Sequence, residues 1–322
     1  KFIDMYAGRL RNQVSFMLSA CNFYMPIFEE ALDAYGLPLE LRYLPIIESA
    51  LNPSAVSRAG ASGLWQFMIG TGKIYGLESN SLVDERRDPI KATWAAARYL
   101  KEMYDIYGDW NLVIAAYNCG PGTINKAIRR ANGETDYWKI YNYLPKETRG
   151  YVPAFIAANY VMTYYCDHNI CPMETNIPAS TDTVQVNKNL HFEQIADLCN
   201  VPLDQIKSLN PQYKKQMIPG DSKPYTLRLP IDAISTFIDK QDTIYTHRAD
   251  ELFRNRKTVA VKDITPATRK TTSAVAGKGN LTYYTIKSGD TLSTIARKYG
   301  VTIKYIQRWN GMSSTKIAAG KR

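Results

Sequence analysis

The chain has 322 residues, 45% of them hydrophobic and 22% charged, which is typical of a globular protein of two or three domains. No apolar run reaches the ~18 residues of a membrane-spanning helix, so none is predicted within it. The net charge of +10 comes from the C-terminal half, since residues 1–175 carry 17 Lys and Arg against 18 Asp and Glu, and residues 176–322 carry 23 against 12.

The first 175 residues show helical periodicity and no convincing strand pattern. The chain opens inside a helical pattern, MYAGRLRNQVSFML, so we expect a preceding segment that carries an export signal. A helix is predicted over Pro89–Tyr107, with Gly108 as its C-terminal cap and Asp109 capping the next helix. That next helix ends at the breaker run 119–122, and a further helix is predicted from Tyr151 onward.

The pattern changes after residue 180, where two copies of one small unit occur. Each copy, residues 181–232 and 282–322, has a short strand followed by two helices, and in the first copy PYTLRLP adds a closing strand. The stretch between them, 240–281, is rich in Thr, Ala and Lys, with 9 basic and 4 acidic residues, and is predicted to be a flexible linker. The second copy ends before a closing strand, so we expect the natural chain to continue past Arg322.

The five cysteines show neither a CxxC pair nor histidines at zinc spacing, so no metal site or cofactor is expected. Cys166 and Cys171 are close enough in sequence for a local disulfide, but buried or free thiols are an equally good interpretation.

The candidate chemistry lies in residues 46–77, IIESALNPSAVSRAGASGLWQFMIGTGKIYGL. Glu48 follows two isoleucines, and its helix is predicted to end two or three residues later at Asn52. A carboxyl at an apolar helix end facing a cleft has a raised pKa, so it can protonate a leaving oxygen near neutral pH. In the loop that follows, Gly60 and Gly63 are predicted to allow close backbone approach.

This stretch resembles the lytic transglycosylases, and further motifs point to the membrane-bound lytic murein transglycosylase D group. They are DERRDP at 84–89, AAARYL at 95–100, the AYN and GPG block at 116–122, and ETRGYVP at 147–153. The resemblance covers about residues 25–170. The two repeated units resemble LysM modules, which bind glycans containing N-acetylglucosamine.

The resemblance implies an α+β multidomain fold, with a mainly helical, lysozyme-like catalytic domain over residues 1–175 followed by small βααβ LysM domains. It implies cleavage of the bond between N-acetylmuramic acid and N-acetylglucosamine in peptidoglycan, with formation of 1,6-anhydro ends. It also implies a location in the bacterial envelope, in the periplasm, with a lipid anchor on an N-terminal segment.

The resemblance also assigns site residues. Glu48 matches the catalytic acid and base, and Ser57 matches a contact to the substrate acetamido group. Gln66 and Met68 match positions that line the saccharide groove, and Glu147 and Tyr151 match a motif at that groove. Tyr117 and Asn118 match the AYN motif, whose tyrosine helps to position the reacting sugar. Two positions depart from the family pattern, because Ile69 replaces a proline and Cys119 replaces a small residue.

Structural interpretations stand beside these assignments. Ser57 is also typical of a turn residue. Gln66 and Met68 could serve only in packing, and Glu147 could form an ion pair with Arg149. The DERRDP segment favours a capped loop with a cluster of salt bridges.

Three alternative functions stay open at this point. They are a muramidase that uses water, a non-catalytic wall-binding protein, and nucleic-acid binding, which no motif supports. The basic C-terminal half is expected to bind peptidoglycan and an anionic envelope surface, so residues 1–175 alone should still cleave soluble glycan.

Overall fold

In this computed structural model, the described residues are 1–175, 177–178 and 180–253, with 284–286, 290–299 and the positions 303, 306, 307, 310, 312 and 317. The chain divides into two compact units, Lys1–Pro266 and Ala267–Arg322. Among the described residues, no helix combines the length and apolar character needed to cross a bilayer.

The first 175 residues form a helical domain. Its α-helices are α1 (Phe2–Asp4), α2 (Arg11–Ala34), α3 (Leu44–Ser49), α4 (Ile69–Ile74), α5 (Pro89–Tyr107), α6 (Trp110–Cys119), α7 (Pro121–Arg130), α8 (Tyr137–Ile140) and α9 (Lys146–Thr163). A π-helical segment (Met5–Arg9) joins α1 to α2, and 3₁₀ turns occupy Leu39–Tyr43, Glu85–Arg87, Tyr141–Tyr143 and Tyr165–His168.

The central helix α5 has the predicted bounds because both its ends are capped. The Asp88 carboxylate accepts from the amides of Ile90 and Lys91, and Pro89 takes the first helical position, where its missing N–H costs nothing. Gly108 ends the helix at φ 65°. The predicted caps and bounds of α5 are therefore confirmed.

The core of the helical domain forms around Trp65 and the buried faces of α2 and α5. The Trp65 ring packs edge-on against Phe28 at 5.3 Å, and its indole N–H donates to Thr93 Oγ1 at 2.9 Å. Both rings are fully buried. A buried indole with its N–H satisfied anchors the loop that carries it, and this loop forms one wall of the site described below.

Residues 180–253 form a second, small module in the first unit. Its strands are β1 (Thr181–Val186), β2 (Asn189–His191), β3 (Met217–Pro219) and β4 (Tyr225–Pro230), and its helices are α10 (Phe192–Cys199), α11 (Leu203–Leu209), α12 (Ile231–Asp239), α13 (Gln241–Thr246) and α14 (Ala249–Leu252).

The order strand, helix, helix, strand predicted for this module is confirmed. β1 pairs antiparallel with β4, from Thr181 opposite Pro230 to Val186 opposite Tyr225. Every second β4 residue is buried, as expected for a strand with one face on a core. A second antiparallel pair, β2 with β3, was not predicted.

The predicted start of the linker at residue 240 is wrong. Residues 241–252 form α13 and α14, and the Ile244 side chain is fully buried. The buried Gln194 amide donates to the carbonyls of Tyr245 and His247 at 3.2 and 2.7 Å, which satisfies the end of α13. The stretch 254–281 lies outside the described residues.

In the second unit the structure describes α15 (Leu292–Tyr299), where the first helix of the second repeat was predicted, and Ile303, Ile306 and Gln307 of its predicted second helix are also helical. Residues 284–286, part of its predicted strand, are not in a strand. The prediction about its closing strand falls outside the described residues.

The DERRDP segment joins the helical domain to the module. Leu82 and Val83 are buried in the hydrophobic core of the module. Val83 forms a β-bridge with Tyr213, and the Lys214 amide donates to the Leu82 carbonyl at 2.8 Å. The Lys223 ammonium lies 2.6 Å from the Glu78 carboxylate. Within DERRDP, the Asp84 carboxylate accepts from the Arg86 amide at the start of the 3₁₀ turn and pairs with the Arg86 guanidinium, and Glu85 pairs with Lys91. The predicted capped loop and salt-bridge cluster is therefore confirmed, and its location between the two domains is new.

The five cysteines are all free in the structure. Cys166 and Cys171 are exposed, Cys21 and Cys119 are half-buried, and Cys199 is buried.

Candidate active site

Glu48 lies in the last turn of α3, which ends at Ser49. The helix therefore ends earlier than predicted, because Ala50 and Leu51 both take left-handed backbone conformations, with φ of 51° and 58°. Such conformations cost of order 1 kcal/mol each for residues with a side chain, so the turn after Glu48 stores strain. The Ser49 hydroxyl donates to the Leu64 carbonyl at 2.9 Å and ties this turn to the next loop.

The environment of Glu48 raises its pKa to about 7. Burial against apolar neighbours is the largest cause, because it disfavours the carboxylate. A hydrogen bond from Tyr151 opposes this rise, and the negative charge of Glu147 adds to it. A carboxyl with a pKa near 7 exchanges protons readily at neutral pH, as a residue that acts first as an acid and then as a base requires.

Two tyrosines flank Glu48. The Tyr151 hydroxyl donates to Glu48 Oε1, and the Tyr117 hydroxyl donates to the Trp65 carbonyl at 2.7 Å. Burial raises the pKa of both phenols well above the ordinary value, and the Glu48 charge raises them further. Both phenols therefore stay protonated and act as hydrogen-bond donors.

Asn118 joins the two helices that carry these tyrosines. Its side-chain carbonyl accepts from the Thr148 hydroxyl at 2.8 Å. Asn118 lies on α6 beside Tyr117, and Thr148 lies on α9 one turn before Tyr151. The contact holds the tyrosine-bearing segments together.

The loop 55–67 carries Ser57 and Gln66. Ser57 Oγ accepts from the Ala61 amide at 3.0 Å, so this hydroxyl closes a turn. The Gln66 amide donates to the Gly63 carbonyl at 2.8 Å and, less closely, to the Ala55 carbonyl at 3.3 Å. Both side chains therefore brace the loop as well as facing the cleft.

The two loop glycines act differently. A Cβ atom on Gly63 would lie 1.7 Å from the Arg86 carbonyl oxygen, so close backbone approach requires glycine there, as predicted. A Cβ atom on Gly60 would meet nothing within 4 Å. Gly60 is instead suited to its φ of 88°, so the prediction of close approach is wrong for this residue.

A cleft of about 490 Å³ lies against Glu48, Ser57 and Gln66. Its opposite wall comes from the N-terminal helices, whose lining residues are Met5, Tyr6, Leu10, Gln13 and Met17. Sequence reasoning missed this wall, because the motifs begin at about residue 25. The spacing of Tyr6, Leu10, Gln13 and Met17 by four, three and four residues was the available signal, since it places them on one helix face.

Five predicted groove residues are not among those that line this cleft: Met68, Tyr117, Asn118, Glu147 and Tyr151. Met68 is 45% exposed at the start of α4. Glu147 is exposed in the first turn of α9. The expected ion pair with Arg149 does not form, because the Arg149 guanidinium donates to the carbonyls of Leu144 and Asn142.

The two departures from the family pattern fit their positions. Ile69 is the first residue of α4, where proline is favoured only because the N–H there needs no partner in the helix. Cys119 ends α6, and its carbonyl accepts from the Thr123 hydroxyl at 2.8 Å. Neither side chain lines the cleft.

Across the described part of the chain, no three His, Cys, Asp or Glu side chains gather as a metal site.

Comparison with known families matches three consecutive parts of the chain. The transglycosylase SLT domain matches residues 25–140. The LysM-like domain of lytic transglycosylase MltD matches residues 180–246, and the LysM domain matches residues 284–322.

Several known proteins with similar sequences are lytic transglycosylases. The chain is 32% identical over 290 residues to membrane-bound lytic murein transglycosylase D of Escherichia coli strain K12. The matched region covers 89% of this chain and 59% of that protein. The chain is 33% identical over 124 residues to soluble lytic murein transglycosylase of the same strain, covering 37% of this chain and 19% of that protein. The chain thus spans about three fifths of the first relative.

Among solved structures, the 70 kDa soluble lytic transglycosylase of Escherichia coli is 29% identical, with a TM-score of 0.39 over 44% of this chain and 24% of that one. The mainly helical domain with a small strand-containing module agrees with the predicted α+β fold class. The chain therefore carries a transglycosylase SLT domain, then the LysM-like domain of lytic transglycosylase MltD, then a LysM domain.

Proposed function

We propose that this protein is a peptidoglycan lytic transglycosylase that cleaves the MurNAc-(1→4)-GlcNAc bond and leaves 1,6-anhydro-MurNAc ends. Glu48 acts as acid and then as base. The observation that carries the proposal is a carboxyl with a pKa of about 7 in the wall of a cleft, inside an SLT domain.

In the first step, protonated Glu48 gives its proton to the glycosidic oxygen, and the bond from C1 of the muramic acid to that oxygen breaks. Tyr151 orients the carboxyl and stabilises the carboxylate that forms, because its hydroxyl donates to Oε1. General acid catalysis of this kind contributes roughly 10² to 10⁴-fold.

In the second step, the Glu48 carboxylate takes the proton of the muramic C6 hydroxyl as that oxygen bonds to C1. The acetamido group of the substrate assists at C1. Glu48 is thereby protonated again, and no water is consumed. The nucleophile belongs to the substrate, so its proximity supplies part of the rate enhancement.

The number of carboxylates supports a route without water. Most glycosidases that hydrolyse their substrate place two carboxylates at the bond. Among the described residues that line the cleft, Glu48 is the only Asp or Glu. Glu147 is the second carboxylate that a muramidase would need, but it is exposed outside this wall.

The remaining site residues are proposed to bind the glycan. Ser57 contacts the acetamido group and Gln66 the sugar hydroxyls, because both face the cleft beside Glu48. Tyr117 and Asn118 position the reacting sugar. Met68, Glu147 and Tyr151 complete the groove, with Met68 and Glu147 at its exposed rim.

The modules after the SLT domain are proposed to bind peptidoglycan, with an anionic envelope surface as a second partner of the basic half. The proposed location is the periplasm, where a lipid anchor attaches the protein to the bacterial envelope. The name of the Escherichia coli relative, a membrane-bound enzyme, supports this location.

Mass spectrometry of muropeptides released from sacculi tests the proposal. We expect products with 1,6-anhydro ends that resist borohydride reduction and carry no ¹⁸O when the digestion is run in labelled water. Glu48→Gln should release less than a few per cent of the wild-type amount while still sedimenting with sacculi, because the change removes only the transferable proton. Reducing ends with ¹⁸O would establish a muramidase, and release by Glu48→Gln would reject Glu48 as the acid.

A further inference from the structure

The loop 55–67, which carries Ser57 and Gln66, is hydrogen-bonded to the side chain of Arg86. Arg86 Nη1 donates to the carbonyls of Gly60 and Phe67, each at 2.8 Å. One guanidinium nitrogen therefore links two positions of the loop 55–67. The Arg86 backbone carbonyl also lies directly against Gly63, where no Cβ atom fits.

Asp84 holds Arg86 in this position. Arg86 Nε donates to Oδ1 at 2.9 Å and Nη2 donates to Oδ2 at 2.8 Å, in a bidentate pair. The two side chains are only 6% and 2% exposed. A buried pair of this kind tolerates little displacement, because moving one partner leaves the other charged and unpaired.

The module reaches Asp84 from the other side. The Asp84 amide donates to the Gln212 carbonyl at 2.9 Å. The Lys214 ammonium lies 3.8 Å from Asp84 Oδ2 and donates to the Asn80 carbonyl at 2.8 Å. Asp84 therefore lies between Arg86 and Arg87 of its own segment and Lys214 of the module.

We infer that Arg86 is a positioning residue for the cleft loop 55–67 and that the LysM-like module, through Lys214 and Asp84, fixes Arg86 in place. The module thus supports the cleft although none of its described residues lines it. The role of the loop in glycan binding rests on the proposed function, whereas the mechanical link does not.

With this link, the LysM-like module does more than localise the enzyme. If the module only localised the enzyme, residues 1–175 would cleave soluble glycan without it. Without the module, Leu82 and Val83 would lose their buried environment, and Asp84 would lose Lys214. We therefore expect activity on small soluble glycans to depend on the contacts between the helical domain and the LysM-like module.

The link is tested in the full chain by Lys214→Met, because Lys214 is partly exposed and its loss should leave the fold intact. Lys223→Met is the matched control. It breaks another ion pair between the module and the helical domain, to Glu78, that does not involve Asp84.

Hydrogen exchange gives a readout that does not depend on catalysis. The amides of Ser57, Ala61, Ser62 and Gln66 are all hydrogen-bonded within the loop, so their exchange reports its rigidity. We expect Lys214→Met to speed exchange in the peptide 55–67 about fivefold, as for loss of a partly buried ion pair, and Lys223→Met to leave it unchanged. Unchanged exchange in Lys214→Met, or equal acceleration in both variants, would overturn the inference.

Kinetics on a soluble glycan oligomer test the consequence for the site. Lys214→Met should raise KM about fivefold, with an unchanged pH profile, because the loop that carries Ser57 and Gln66 moves while the hydrogen bond from Tyr151 to Glu48 is kept. Lys214→Arg should restore KM. A variant that merely unfolds would lose kcat at constant KM, and this result would also reject the inference. If the wild-type chain shows no turnover, the proposed function fails while the exchange experiment still decides the link.

Discussion

Tyr151→Phe should move the alkaline limb of the pH–rate profile to higher pH. The Tyr151 hydroxyl donates to the carboxylate form of Glu48 and so lowers its pKa, against the larger effect of burial. Removing the donor removes that opposition, so the pKa of Glu48 must rise. The acid step needs protonated Glu48, and the protonated form then persists to higher pH.

The size of the change follows from the hydrogen bond. A hydrogen bond to a charged group contributes about 1.5 to 3 kcal/mol, and 1.36 kcal/mol corresponds to one pH unit. Because the carboxylate keeps part of its solvation in the cleft, we expect a contribution at the lower end of this range. The alkaline limb should then move up by about one pH unit from its wild-type position near 7. We also expect kcat to fall about tenfold, because the carboxylate that forms in the acid step loses its donor.

The assay is kcat/KM on a soluble glycan oligomer from pH 4 to pH 10. Tyr160→Phe is the matched control, since Tyr160 lies on the same helix α9 but is 41% exposed to solvent. The control should leave the limb in place. A limb that stays in place or moves to lower pH in Tyr151→Phe would refute the assignment of Glu48 as the titrating acid.

Glu147→Gln should shift the alkaline limb in the opposite direction, to lower pH, because the Glu147 charge raises the pKa of Glu48. Turnover within about threefold of wild type would fit this charge effect. Loss of turnover would instead indicate that Glu147 is the base of a muramidase. Gly63→Ala should destabilise the fold by about 3 kcal/mol or more, since its Cβ atom would overlap the Arg86 carbonyl. Gly60→Ala should cost only about 1 kcal/mol, from its positive φ alone. Thermal denaturation of both variants checks this order, and equal losses would contradict it.

Local sequence signals predicted the elements whose ends are set by their own residues. The bounds of α5 follow from Asp88, Pro89 and Gly108, which act within one turn of the helix. The first repeated unit followed from its hydrophobic pattern, because β4 buries every second residue. The helices α13 and α14 were missed because their stability depends on burial of Ile244 and on the Gln194 amide, which is 51 residues before Tyr245, rather than on local pattern.

The sequence by itself determined which residue is the candidate acid, because Glu48 stands after two isoleucines inside a long, specific motif. Its pKa of about 7 was decided by the tertiary structure, since burial, Tyr151 and Glu147 act on it from different parts of the chain. The opposite wall of the cleft and the link from Lys214 through Asp84 to Arg86 were also decided there. Periodicity and motifs report neighbours along the chain, whereas desolvation and ion pairing depend on neighbours in space.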